Sequence, residues 1–367
     1  MFSIYDGYSE IIKNKSSSFA GANTGKGFVG VYPTVADEEK LQHLYIIKGS
    51  AGCGKSTFMK KAAEASEKNG YNVEYFYCSS DPESLDCIVL DNRIAILDGT
   101  APHVKEMTFP GAVSEILDFS QFLSTDKLIN NREEITYHVN KKKEYYSSAY
   151  SYIKAAEIIE SERRILSDLL FDKGKCQKQI ERLISKFKMK NDNDYKETKK
   201  YSHALSMRGA YRIEYRNDSE EVYVTDYFGL APIYMEMLHN ELKKYDISHD
   251  VSLLPVNDTI TSIEIQRRKL KISVNNTPQD KNVINTERFI TKEKLHDARG
   301  LMRLASKIEK ECIDDALKML SIAGKEHFEL EKVYVSAMDF DLLESFRTTK
   351  ISEIINIIKK KNNTFLP

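Results

Sequence analysis

The sequence predicts an α/β protein of two tandem parallel-sheet domains, each with a long helical insertion or extension. Three observations carry this. First, the apolar run Leu44-Tyr45-Ile46-Ile47 leads into the turn Gly49-Ser50-Ala51-Gly52-Cys53-Gly54-Lys55-Ser56, and a helical pattern follows from Thr57 to Lys68. Second, the order of these elements recurs in the second half of the chain. Third, two long stretches carry apolar residues at helical spacing, separated by charged ones.

The glycine turn fits G-x-x-x-x-G-K-[ST], the phosphate-binding P-loop, in the strand–loop–helix context that motif requires. Gly49, Gly52 and Gly54 let the backbone curl around an anion without Cβ clashes. The N–H groups from Ser50 to Ser56 are expected to point inward as a nest at a helix N-terminus. Lys55 is expected to reach the β- and γ-phosphates and the Ser56 hydroxyl to hold Mg²⁺. The nucleotide-binding set is Gly49, Ser50, Ala51, Gly52, Cys53, Gly54, Lys55, Ser56 and Thr57. Cys53 occupies a variable position and reads as a spacer.

In chain order, a polar lead-in precedes Phe19–Phe28, whose three glycines read as a loop between short strands, with Lys26 as a candidate second anion contact. After the first helix, Asn69-Gly70 is a stop signal. Asn72–Cys78 reads as a second strand, Ser79–Asp86 as a loop, and Arg93–Gly99 as a third strand ending in Asp98. An apolar strand running into Asp, with one strand–helix unit between it and Lys55, is the Walker B pattern, so Asp98 is the second Mg²⁺ residue. His103 is a candidate γ-phosphate sensor. From about 112 to 187, Ile129, Ile135, Val139, Tyr146, Tyr150 and Ile153, then Ile158, Ile165, Leu169, Ile180 and Leu183, predict a helical hairpin or pair packed along one face. Lys141–Lys143 reads as a solvated face. Residues 188–200 hold almost no apolar side chain and read as a linker. The expected division is a first domain at 1–187, with its arm at about 112–187, and a second at 201–367, with its arm at about 290–361.

Setting Tyr45 against Tyr223 also aligns Met59 with Met237, Val73 with Val251, Ser84 with Ser262 and Ile94 with Ile272. Strands are expected at Val222–Val224, His249–Leu254 and Lys269–Val274, a helix at Met235–Tyr245, and a helical face at Leu301, Leu304, Ile308 and Cys312. The chemistry does not recur. The loop becomes Tyr227–Tyr234, with Ile233 at the Lys55 position, Tyr234 at Ser56 and Asn276 at Asp98. Pro232 removes a donor and aromatic rings fill the cradle, so this degenerate half is not expected to bind Mg-ATP.

Phe19–Phe28 (F-A-G-A-N-T-G-K-G-F), Gly49–Thr57 (G-S-A-G-C-G-K-S-T), Cys78–Asp86 (C-S-S-D-P-E-S-L-D) and Leu97–His103 (L-D-G-T-A-P-H) carry a resemblance. The chain resembles a family of bacterial proteins of similar length, described as ATPases or nucleotide kinases and built from two tandem P-loop NTPase domains. The resemblance covers most of the chain and implies a P-loop NTPase-like fold in both halves. Family members carry two intact loops; this chain departs from them in its second half. The family implies ATP as the nucleotide, and no N-K-x-D stretch that reads guanine is present.

Composition narrows the function classes. Among 367 residues, 54 Lys+Arg face 55 Asp+Glu, which argues against a dedicated nucleic-acid binder. No apolar run approaches the ~18 residues of a membrane span, and the N-terminus lacks a signal-peptide pattern. Five scattered cysteines without a C-x-x-C pair suit a reducing cytoplasm. The leading expectation is a slow or partner-stimulated ATPase acting as a switch, with Lys55, Asp98 and Asp81 as catalytic residues. Gly99 stands where many ATPases place a Glu, so Asp81, Glu83 or Asp86 is expected to act as base. Arg208, Arg212 or Arg216 of the second half is expected to complete the site. Alternatives are a small-molecule or nucleotide kinase and a non-catalytic ATP-gated scaffold.

Overall fold

Leu44, Tyr45, Ile46 and Ile47 are all buried because their strand is covered on both faces: Tyr45 and Ile47 join one apolar cluster, Leu44 and Ile46 another. That strand is central to the first half of the chain. A computed structural model describes residues 3–13, 16–102, 105–187, 191–215, 218–276 and 282–360.

The first half runs β1 (Ser9–Lys13), β2 (Ser17–Phe19), β3 (Gly21–Thr24), β4 (Gly27–Gly30), the short α1 (Tyr32–Val35), β5 (His43–Lys48) and α2 (Lys55–Lys68). It continues with β6 (Val73–Tyr77), β7 (Leu85–Leu90), β8 (Ile94–Asp98), β9 (Ser114–Asp118), α3 (Thr125–Asn130), α4 (Arg132–Leu170) and α5 (Lys173–Lys186). The second half runs β10 (Glu197–Tyr201), β11 (His203–Ser206), β12 (Gly209–Tyr215), β13 (Glu220–Thr225), α6 (Ala231–Lys244) and β14 (His249–Leu253). β15 (Ile260–Ile265), β16 (Leu270–Val274), β17 (Val283–Asn285), α7 (Lys292–Ala337) and α8 (Phe340–Lys359) complete it.

Twelve strands form one sheet in the order β9-β5-β8-β7-β6-β2-β10-β14-β15-β16-β13-β17. The order is palindromic once each strand of the first half is matched to its counterpart in the second. Its centre is the antiparallel β2–β10 pair, where Phe19 faces Tyr201. The sheet is mixed, which corrects the expectation of parallel sheets. β5 is parallel to β8 and β9, but β7 runs antiparallel to both β6 and β8. β15 does the same between β14 and β16. Instead of a strand–helix unit, the antiparallel strands β6 and β7 separate α2 from β8, and Asp91 and Asn92, at φ 51° and 54°, a left-handed conformation those residues tolerate, turn β7 into β8. Residues 188–200 are not all linker, because Glu197–Tyr201 is β10, parallel to β14. Among the described residues no helix is long and apolar enough to cross a membrane.

α4 and α7 lie antiparallel along one another. Leu123, before α3, bridges Met338 at the far end of α7, and Phe171 after α4 bridges Ile290 before α7. Ala149 and Ile153 of α4 meet Ala316 and Leu320 of α7, with Tyr146 and Tyr150 alongside. Nearer the second half, Arg163 and Glu309 form a buried ion pair at 3.0 Å. The expected helical hairpin or pair is the two helices α4 and α5, but α4 packs along α7 of the other half rather than along α5. Ile129, Val139, Ile158, Ile165, Leu169, Leu301 and Leu304, expected to pack, are exposed instead.

The two long helices carry the chain across. α5 delivers Cys176, Ile180 and Leu183 to the core of the second half, among Val222, Val224, Tyr234 and Leu238. α8 delivers Leu343, Ile354, Ile355 and Ile358 to the core of the first half, among Phe58, Met59 and Phe119. Each half thus lends its last helix to the other, and the expected division at 188–200 follows the chain but not the packing. Leu343→Ala is predicted to lower stability by about 2–5 kcal/mol, the range for truncating a fully buried Leu. Leu342→Ala, at the neighbouring exposed position, is predicted to change it by less than about 0.5 kcal/mol. Urea unfolding of the two variants measures the contrast.

Candidate functional site

The loop Gly49–Gly54 joins the end of β5 to the start of α2. Gly52 and Gly54 adopt φ 71° and 84°, and Gly54 is the N-cap of α2. Cys53 is fully buried under the loop, its Sγ 2.6 Å from where a Gly49 Cβ would stand, and burial raises its thiol pKa. It packs as a spacer.

β8 is hydrogen-bonded beside β5, with Asp98 opposite Ile47, so Asp98 emerges next to the loop. Lys55 Nζ lies 3.6 Å from Asp98 Oδ2 and donates to the carbonyls of Ser50 (2.6 Å) and Gly49 (3.3 Å). Thr100 ties the two strands' ends together: its N–H donates to Asp98 Oδ1 (2.8 Å) and its hydroxyl to the Gly49 carbonyl (2.9 Å). Ser56 Oγ accepts the N–H of Leu85 (3.0 Å), and Thr57 is exposed. The structure places Asp98 beside the loop that carries Lys55. His103 and Arg216 lie outside the described residues. Phe19–Phe28 contributes the β3–β4 hairpin; the N–H of Gly25 at its tip donates to Glu157 Oε1 (3.0 Å) of α4 while Lys26 is exposed, which is the behaviour of a turn.

What faces the loop comes from the second half. A Cβ on Gly52 would stand 2.6 Å from Val335 Cγ2 and 2.8 Å from Glu331 Cγ, both on α7. A Cβ on Gly54 would stand 3.1 Å from Leu343 and 3.4 Å from Arg347 Nη2, both on α8. The elbow between α7 and α8 is thus laid against the glycine backbone. Arg208, on the turn between β11 and β12, reaches the first half as expected, but its partners are Asp81 (2.7 Å) and Glu83 (3.2 Å), and it lies over the Phe328 ring. Arg212 pairs with Glu10 (3.1 Å) instead. Asp86 is buried and accepts from Tyr32 (3.4 Å).

Four further groups crowd this site, each without a motif of its own in the sequence. Burial raises the Glu331 carboxyl pKa; Asp81 adds to that while Lys55 and Arg208 oppose it. Burial and the Lys55 charge lower the pKa of Lys142, so one member of the Lys141–Lys143 run turns inward. Burial, with Lys142 and Lys55, holds His327 at about 4, against the pull of Asp81. Arg347 is buried at 6% exposure, pairs with Glu344, and its Nε has no partner among the described residues. Ser50 Oγ is likewise buried and without a partner among the described residues. Two orphaned polar atoms beside a cradle of positive-φ glycines fit a polar anion such as a phosphate.

The second half repeats the backbone with a different filling. Gly229, at φ 73°, matches Gly52, and α6 follows as α2 does. Asp226 accepts the Ala231 N–H at the start of α6 (3.0 Å) and the Ser3 hydroxyl (2.6 Å). A carboxylate built into the loop thus sits where an anion would bind, and Arg163 packs against Gly229. Val224 faces Val274 as Ile47 faces Asp98, so Val274, not Asn276, stands at the Asp98 position. Asn276 instead accepts the Asp226 N–H (2.8 Å).

The family described as nephrocystin 3, N-terminal, matches residues 31–89. That span contains β5, the glycine loop, α2 and β6, and ends before Asp98. No curated protein and no solved structure gave a significant match.

His327 is neutral in the folded chain down to about pH 4, whereas an exposed His protonates near 6.5. The unfolded state therefore binds the extra proton, and stability is predicted to fall as pH drops from about 6.5 to about 4. His203, held neutral down to about 3 by burial and Arg212, acts in the same direction. His327→Gln is predicted to flatten, without removing, this dependence in urea unfolding midpoints measured across that window.

Proposed function

We propose that this chain is a Mg-ATP-binding P-loop NTPase that hydrolyses ATP slowly and acts as a switch, with its active site closed by the exchanged helix of the other half. The observation that carries the reading is the convergence of Lys55, Ser56 and Asp98 at two positive-φ glycines capping α2. The N–H groups of the loop and Lys55 would hold the phosphates, and Ser56 and Asp98 the Mg²⁺. Bound Mg-ATP would supply the transferable phosphoryl group. Lys55 now rests on carbonyls of its own loop, bonds that an anionic ligand would outcompete.

Glu331 rather than Asp81 fits the base or water-orienting role. Asp81 is tied to Arg208, whereas Glu331 lies against Gly52 and is drawn towards neutrality by burial. Arg347 fits the charge-stabilising role. Asp172 and Asp339 cap α5 and α8 alike, and counting from those caps Cys176 matches Leu343 and Ile180 matches Arg347. The half whose loop carries its own carboxylate has an apolar residue there. The half with the open cradle has a buried guanidinium with a free donor.

Lys55→Ala is predicted to abolish Mg-ATP binding in equilibrium dialysis; retained affinity would overturn the reading. Arg347→Ala is predicted to lower phosphate release by about a hundredfold, the lower end of the range for electrostatic catalytic groups. Phosphate release without an acceptor supports the ATPase. ADP formed only with an acceptor supports a kinase, and tight binding with neither supports a scaffold.

A further inference from the structure

Away from the glycine loop, three ligand-type side chains converge at the N-terminal ends of two inner strands of the sheet. Glu197 and His249 are the first residues of the parallel strands β10 and β14 and face each other in register. Neighbouring positions on parallel strands present their side chains to the same face. His239, on α6, joins them there. Its Nδ1 is 2.9 Å from His249 Nε2, and its Nε2 is 3.7 Å from Glu197 Oε1. One ligand atom from each residue can be chosen so that all lie within 4.8 Å of one another.

We propose that Glu197, His239 and His249 form a binding site for a divalent transition cation, for which Zn²⁺ is the natural ion. Two imidazoles and one carboxylate are a zinc donor set, with water completing the fourth position. The ligands' own partners are already in place. His249 Nδ1 is 2.6 Å from the Ile247 carbonyl, which only accepts, so Nδ1 carries the proton and Nε2 presents its lone pair to His239. The Tyr195 hydroxyl donates to Glu197 Oε2 (2.9 Å) and orients that carboxylate. Zinc bonds of about 2.0–2.2 Å would be reached by small side-chain rotations, because all three ligands stand on a helix and two registered strands.

The fold itself does not demand these residues. His239 is the ninth residue of α6 and His249 the first of β14; the ninth residue of α2 is Ala63 and the first of β6 is Val73, both buried. Apolar packing thus serves the same corner of the first half. The lysines that now approach Glu197, Lys199 and Lys243, each at 3.5 Å, are half exposed, and such pairs contribute little and yield readily to a cation.

The test uses the full chain, stripped with a chelator and titrated with Zn²⁺ against a competing chromophoric chelator. One tightly bound equivalent is expected, with His239→Gln and His249→Gln each weakening it by at least about tenfold. Lys243→Ala, at a half-exposed position, is expected to tighten it by removing a competing positive charge. Co²⁺ in place of Zn²⁺ is expected to give visible d–d bands that Glu197→Gln shifts or abolishes. Absence of a tight equivalent in the unmodified chain, or affinity unchanged in both histidine variants, overturns the site. The Co²⁺ spectrum of the unmodified chain decides the matter if the histidine variants misfold.

Discussion

Burial of α8 against the first half is the constraint on which the arrangement of the site depends. Leu343, Ile354, Ile355 and Ile358 lose nearly all their exposure among Phe58, Met59 and Phe119. Each such aliphatic side chain stabilises by about 1.5–3 kcal/mol when fully buried. This packing pins the α7–α8 elbow, and the elbow sets Glu331 and Val335 on Gly52 and Arg347 beside Gly54. The long pairing of α4 with α7 only transports these groups; the short helix beyond it fixes them. Chemistry at the glycine loop is therefore coupled to a segment almost three hundred residues away in the chain.

The two loops show how one backbone path serves two ends. A turn of positive-φ glycine before a helix leaves N–H groups that need an acceptor. In the second half Asp226 meets that need from within, and the Tyr227 and Phe228 rings that follow it pack edge to face on each other. In the first half the equivalent position is Gly49, with no side chain to offer, and the nearest cation turns back on its own carbonyls. Arg163 and Arg347 are both buried guanidiniums near a loop. Arg163 pairs with Glu309 and Arg347 with Glu344, and each keeps one nitrogen without a partner among the described residues. The difference between the halves lies in where the balancing negative charge comes from.

Local features of this fold were legible in the chain. The β5–loop–α2 unit follows from an apolar run, three glycines and a helical stripe within twenty-five residues, and Asp98 follows from the end of the next apolar strand but one. The strand β7 is equally open to view, as the apolar run Cys87–Leu90 before an Asp91-Asn92 turn, although its first two residues fall in the stretch Ser79–Asp86 that reads as a loop. The helix exchange was not legible. The apolar residues at helical spacing on α4 include exposed Ile158, Ile165 and Leu169, while Glu157, Glu160 and Arg163 are buried. A stripe of polar residues can be the packed face when its charges are matched across a seam, and periodicity in one helix cannot report its partner. Glu331, Arg347 and the Glu197–His239–His249 cluster escaped for the same reason: each is assembled from distant segments without a fixed spacing.

The palindromic strand order has a consequence for ancestry and for asymmetry. Two copies of a half-length chain, paired edge to edge through their central strands and trading their last helices, would make a closed two-fold dimer. In such a dimer every substitution appears twice, so both loops must keep the same occupant. Joined as one chain, the copies are released from that obligation. One loop has Lys55 facing Asp98, and the other has Asp226. A loop with its own carboxylate, and a histidine pair where the other half has Ala63 and Val73, are both features that a symmetric assembly would force on its two subunits at once.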